Sequence, residues 1–156
     1  MDNDRILALR AIKIANEGIG QGCGPFGAVI AKNGVVIAEA SNSVTLDHDP
    51  TAHAEVAAIR KAAKALKTHN LDGCTLYCSC EPCPMCFGAI YWAGISQVIY
   101  VCDRHDAAQA GFSDKIIYDE IILDNEKRSI AFRQITGLNG KEVFGTWKEN
   151  ESKIPY

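Results

Sequence analysis

Four residues in two short segments have the types and spacing to hold a metal ion and put it to use. Pro50-Thr51-Ala52-His53-Ala54-Glu55 offers an imidazole and a carboxylate, and Glu81-Pro82-Cys83-Pro84-Met85-Cys86 offers two thiols. One imidazole and two thiolates make three ligands for zinc. The fourth tetrahedral position stays open for water, as in catalytic rather than closed structural sites. Two thiolates donate much charge, so zinc held this way is a weaker Lewis acid than zinc held by three imidazoles. A nearby proton acceptor then becomes valuable, and Glu55, which need not bind the ion, is placed for that role. The pattern is that of a hydrolytic enzyme.

A second arrangement uses the same region. Cys78, Cys80, Cys83 and Cys86 crowd into nine residues and could close a four-thiolate structural site, with His53 an ordinary helix residue. The coupling of His-x-Glu to Pro-Cys-x-x-Cys about thirty residues later favours the open site. Cys78 and Cys80 share one face of a strand, so one of them can approach the metal without binding it. Cys23, Cys74 and Cys102 read as small buried hydrophobes. His48 and His105 read as surface loop residues outside the site.

The segments that must position these groups emerge from periodicity and punctuation. Residues 4–18 carry Ile6, Leu7, Leu9, Ile12 and Ile14 at helical steps, with Asp4 as a cap and Gly18 and Gly20 as a stop. Residues 26–30 and 35–38 flank Asn33-Gly34, a strong hairpin signal. A helix is expected from about 52 to 67, a strand over 74–78, a helix over 84–94 and a strand over 97–101. A polar loop comes next over 103–114, then a helix near 116–122, an alternating strand over 130–135 and a last helix over 140–149. His53 and Glu55 then fall in the first turn of one helix, and Cys83 and Cys86 at the start of another. Residues three apart on a helix share a face, so both thiolates reach one ion. The partial positive charge of a helix N-terminus favours thiolate over thiol.

At 156 residues, 47% apolar and 22% charged, the chain is expected to form one α/β domain over 1–156 with a sizeable core. No apolar run reaches the ~20 residues of a membrane span. The acidic start, Met1-Asp2-Asn3-Asp4-Arg5, leads into an amphipathic pattern rather than a secretory leader, so the expected location is cytoplasmic. Seven cysteines then read as thiols and metal ligands rather than disulfides. A net charge of −3 argues against a nucleic acid as main partner, because phosphate binding needs clustered Lys and Arg. Lys61, Lys64 and Lys67 are spaced like the solvated face of a helix.

The chain resembles the cytidine deaminase-like superfamily. The resemblance runs through Pro25-Phe26-Gly27-Ala28-Val29-Ile30, Asn42, Thr51-Ala52-His53-Ala54-Glu55 and Cys80-Glu81-Pro82-Cys83-Pro84-Met85-Cys86. It implies a three-layer α/β/α fold with a mixed sheet of about five strands between helices. Within the superfamily the chain is similar to the small bacterial guanine deaminases, on Phe87-Gly88-Ala89-Ile90-Tyr91-Trp92-Ala93, on Ala110-Gly111-Phe112-Ser113-Asp114 and on the tail ending at Tyr156. This implies zinc-dependent conversion of guanine to xanthine and ammonia, in purine catabolism or salvage. His53, Cys83 and Cys86 would bind one zinc ion per subunit, and Glu55 would shuttle the proton. Asn42 would hydrogen-bond the purine edge, Phe26 and Trp92 would contact its faces, and Asp114 would accept from guanine N–H groups. Ala54 is among the implied substrate contacts. The resemblance also implies a homodimer in which the C-terminal segment crosses over and Tyr156 closes the partner's pocket.

Each of these residues has a plainer reading. Asp114 after Ser113 can cap a helix, Asn42 can close a turn, Trp92 and Phe26 can be core, and Tyr156 can end a loose tail. Among functions, a tRNA adenosine deaminase shares the zinc apparatus, and guanosine, cytosine and pterin are neighbouring small substrates. A non-catalytic zinc module that binds a partner is the reading from another class.

Overall fold

The computed structural model describes residues 2–156. Helix α1 (Asn3–Ile19) is capped by the Asp2 carboxylate, which accepts from the Asp4 N–H, and stops at Gly20. Strands β1 (Gly27–Lys32) and β2 (Val35–Ser41) form the expected hairpin. Asn33 and Gly34 both take positive φ (51° and 77°), the geometry a two-residue hairpin turn demands. One extra β2 residue bulges out opposite Ile30/Ala31. A short α2 (Val44–Asp47) precedes α3 (Ala54–Leu66), β3 (Cys74–Cys80), α4 (Pro84–Trp92), β4 (Gln97–Cys102) and α5 (Arg104–Gln109).

The sheet has four strands in the order β2-β1-β3-β4. β1 pairs antiparallel with both β2 and β3, and β3 pairs parallel with β4 across α4. Alternation along the central strands sends side chains into two cores. Ala28, Ile30, Leu76 and Cys78 pack with Ala54, Ala58 and Ala62 of α3 and with Ile90 of α4. Val29, Ala31 and Tyr77 pack with Leu7 and Ala11 of α1 on the opposite face. Burial on both faces explains why β1 reads as a continuous apolar run rather than an alternating one. Small residues let the helices come close. A Cβ on Gly27 would lie 2.2 Å from the Ala11 carbonyl oxygen and 2.7 Å from the Ala15 nitrogen, so only glycine fits under α1.

The chain divides at Asp114 into two units. The second, Lys115–Tyr156, contains α6 (Lys115–Ile121), a 3-10 turn (Asn125–Lys127) and α7 (Lys141–Glu149). None of these three elements has a buried residue.

Several expectations need correction. The sheet has four strands, not about five, because residues 130–135 form no ladder. Their alternation belongs to an irregular segment in which the Arg128 guanidinium sits 4.8 Å over the Phe132 ring. The expected loop over 103–114 contains α5, whose start is fixed by a reciprocal capping box between Asp103 and Asp106. Six residues are too few to show an amphipathic period. Cys74 is buried as expected, but Cys23 is only half-buried and Cys102 is exposed. Lys61, Lys64 and Lys67 are exposed as read, with Lys67 in the left-handed C-cap of α3.

Candidate active site and metal centre

Both metal segments end in a helix N-cap. His53 is the N-cap of α3, with extended backbone (φ −68°, ψ 153°), and Cys83 is the N-cap of α4 (φ −66°, ψ 169°), with Pro84 favouring the helix start just after it. Neither side chain caps its own helix. The loop entering α3 is held by Asp49, whose Oδ1 accepts from the Thr51 N–H (2.8 Å) and hydroxyl (2.7 Å). Those bonds, the hydroxyl's first, keep the Asp49 carboxyl below the usual range.

The result is a three-atom cluster. The Sγ of Cys83 and of Cys86 lie 3.5 and 3.6 Å from His53 Nδ1, and the three donor atoms all fall within 4.8 Å of one another. Bonds of about 2.3 Å to sulfur and about 2.0–2.1 Å to imidazole nitrogen, set at the tetrahedral angle, place donors about 3.5 Å apart. The cluster therefore fits zinc in both donor type and spacing. Cys78 and Cys80 are outside it: Cys78 is buried in the core, and the Cys80 thiol donates to the Asp103 carbonyl at 3.4 Å. This geometry disfavours the closed four-thiolate arrangement.

The electrostatics favour the thiolate at Cys83 and the thiol at Cys86. The Cys86 thiol hydrogen-bonds to Cys83, which together with His53 lowers the Cys83 thiol to about 4. The same hydrogen bond, with burial, pushes Cys86 up. The hydrogen bond to Cys83 raises His53.

Glu55 is the second residue of α3, 7% exposed, and the only buried charged side chain among the described residues. Burial, first, and the neighbouring Cys83 raise its carboxyl. It is no member of the three-atom cluster. A buried carboxylate beside an open metal site is free to move protons.

Asn42 is buried, its N–H donating to the Phe26 carbonyl (2.9 Å) and its Oδ1 accepting from the Val44 N–H (3.2 Å). The turn-closing reading is thus satisfied by Oδ1. Phe26 is half-buried and meets Phe112 edge-on, with ring centroids 5.0 Å apart. Ala54 is fully buried at the first position of α3. Trp92 ends α4 with 72% of its surface exposed, which removes the core reading. Asp114 is half-buried immediately before α6, and Tyr156 is exposed in the second unit. The structure brings together His53, Glu55, Cys83 and Cys86, and ties Phe26 to Asn42. Sequence reasoning assigned no role to Phe112 or Glu81. The only signal for either was its place beside Asp114 or Cys83.

The sequence model of the cytidine and deoxycytidylate deaminase zinc-binding region matches residues 1–102. A guanine deaminase of Bacillus subtilis (strain 168) is 51% identical over 155 residues, 99% of each chain. A tRNA-specific adenosine deaminase of Buchnera aphidicola is 45% identical over 101 residues, 64% of this chain and 61% of that one. The X-ray structure of the guanine deaminase from Bacillus subtilis superposes with a TM-score of 0.95, covering 97% of this chain and 98% of the other.

Proposed function

This chain belongs to the cytidine and deoxycytidylate deaminase zinc-binding family, and we infer that it is a zinc-dependent aminohydrolase that converts guanine to xanthine and ammonia. The observation that carries the reaction type is the three-donor cluster with a buried, non-ligating carboxylate beside it. Full-length likeness to a guanine deaminase carries the substrate.

His53, Cys83 and Cys86 would hold the zinc ion. When bound there, zinc supplies a Lewis acid that lowers the pKa of a water at the open position. Glu55 takes one proton from the attacking water and delivers it to the ring nitrogen beside C2, then takes the hydroxyl proton of the resulting adduct and delivers it to the departing amine as the C2 carbonyl forms. Water adds at C2, the C2–amine bond breaks, and ammonia leaves neutral. Ammonia is a poor leaving group without that delivery, so one carboxylate serves as base and then acid.

For recognition, Asn42 bonds the purine edge while Phe26 and Trp92 contact the ring. Ala54 lines the pocket and Asp114 accepts from guanine N–H groups. A half-buried acceptor facing those donors discriminates, because a base lacking them leaves it unpaired.

The molecule works as a homodimer whose C-terminal segment reaches the neighbouring subunit, where Tyr156 closes the pocket. Supporting this, the second unit exposes Ile122, Ile130, Leu138, Val143 and Phe144, and its helices bury nothing. Its seven free thiols suit the reducing cytoplasm. Ammonia release from guanine, guanosine, adenine, cytosine and a tRNA anticodon hairpin tests the assignment. Turnover confined to guanine is expected. Preference for the hairpin would make the chain a tRNA deaminase, and no ammonia from any would make it a binding module.

A further inference from the structure

The metal loop carries one charged residue that the reaction does not use. Glu81 lies between Cys80 and Pro82, two residues before Cys83, and its side chain is only 19% exposed. Both carboxylate oxygens go to one residue of another element. Oε2 accepts from the backbone N–H of Arg104 (3.1 Å), and Oε1 pairs with the Arg104 guanidinium (3.2 Å). The Glu81 N–H also donates to the Cys102 carbonyl (2.9 Å). Arg104 is the first residue of α5, so Glu81 clamps the start of that helix to the metal loop.

The far end of α5 is equally well fastened to the loop after it. The Gly111 N–H bonds the Ala108 carbonyl (3.0 Å) and the Phe112 N–H returns to the Ala107 carbonyl (2.9 Å), with Gly111 at φ +92°. Helix and loop 110–113 therefore move as one piece. That piece ends on the edge-on contact of Phe112 with Phe26, and Asp114 comes two residues later.

We propose that Glu81 is a positioning residue: through Arg104 and α5 it fixes the loop carrying Phe112 and Asp114 relative to the metal loop, and so sets affinity for the base. The proposal rests on the guanine reading above. A six-residue helix is a lever of about 9 Å, so a tilt of roughly 6° at its start displaces the loop by about 1 Å. A misplacement of that size can cost up to about a hundredfold in kcat/KM. Other ties hold α5 as well, including the Cys80 thiol on the Asp103 carbonyl, so a smaller, roughly tenfold effect is expected. Because the loop touches the base and moves no proton, the loss falls on KM and leaves kcat nearly unchanged.

The test uses the zinc-loaded, full-length protein as wild type and as Glu81→Ala, Glu81→Gln and Arg104→Gln. It measures zinc content, kcat and KM for guanine, and amide hydrogen exchange over 104–113. Glu81→Ala and Arg104→Gln should keep their zinc and raise KM about tenfold, and Glu81→Ala should speed exchange at the Arg104 N–H, which loses its acceptor. Glu81→Gln, which still accepts from the Arg104 N–H, should recover part of the loss. Unchanged KM in both damaging variants, or unchanged exchange at residue 104 in Glu81→Ala, would overturn the proposal, as would zinc loss in Glu81→Ala. A wild type inactive on guanine would refute the functional reading, while hydrogen exchange would still decide whether Glu81 holds the start of α5.

Discussion

Replacing Glu55 with glutamine separates the catalytic reading of the site from a structural one. The substitution keeps the size of a side chain that is 7% exposed and removes its charge and its capacity to accept a proton. No second buried carboxylate exists among the described residues to take over. Proton transfer by one positioned group contributes about 10²–10⁴-fold, and Glu55 acts in both halves of the reaction, so kcat should fall by at least about 10⁴. That corresponds to roughly 5.5 kcal/mol in the barrier. Zinc should stay at one per chain, since the three donors within 4.8 Å of one another are untouched. Stability should hold or rise, because burial already disfavours the ionised carboxylate that Gln removes. The assays are ammonia release, metal analysis and a thermal melt on the same preparation. A variant that turned over guanine within tenfold of wild type, fully zinc-loaded, would remove Glu55 from the mechanism. One that lost its zinc would make it a ligand.

Three further outcomes are expected. Cys83→Ser, or chelation of the wild type, should abolish ammonia release, and zinc added back should restore only the chelated protein; persistent activity in metal-free material would refute the site. Gly27→Ala should destabilise by about 3 kcal/mol or more, because the new methyl meets helix backbone at 2.2 and 2.7 Å. For a chain of this size that lowers the melting temperature by roughly 6–12 °C, and an unchanged melt would refute the close approach of α1 to β1. Tyr77 is buried with its hydroxyl donating to Asp4 (2.7 Å), and burial foremost pushes its phenol up to about 12. The unfolded chain loses this proton near pH ~10 while the folded one keeps it, so the stability is intact below that point. It is lost as pH rises toward 12, by roughly 2–3 kcal/mol. Denaturant melts of wild type and Tyr77→Phe between pH 9 and 12 should therefore converge as pH rises; parallel curves would refute the shift.

The parts of the fold legible in the sequence were those with a strong local signal. Asn33-Gly34 marked the hairpin because few residue pairs tolerate two consecutive positive φ angles. The His53, Cys83 and Cys86 cluster was legible because metal chemistry restricts residue type and spacing more tightly than packing does. What escaped was short or non-local. Helix α5 is announced only by the Asp103/Asp106 box. Residues 130–135 alternate without a ladder partner, which periodicity cannot reveal. The Glu81–Arg104 pair joins residues twenty-three apart, and nothing in either local sequence names the other. Cys102 is exposed because β4 presents much of its length to the surface, whereas the central strands have a helix layer on each face.

At both ligand-bearing helix starts, His53 and Cys83 occupy the place where a serine or aspartate would ordinarily tie down the first turn, and neither does so. An unfilled cap costs about 1 kcal/mol per helix. A cation held by His53, Cys83 and Cys86 would join two helix starts that no side chain of their own fastens, so its binding energy would add to the stability of the folded chain.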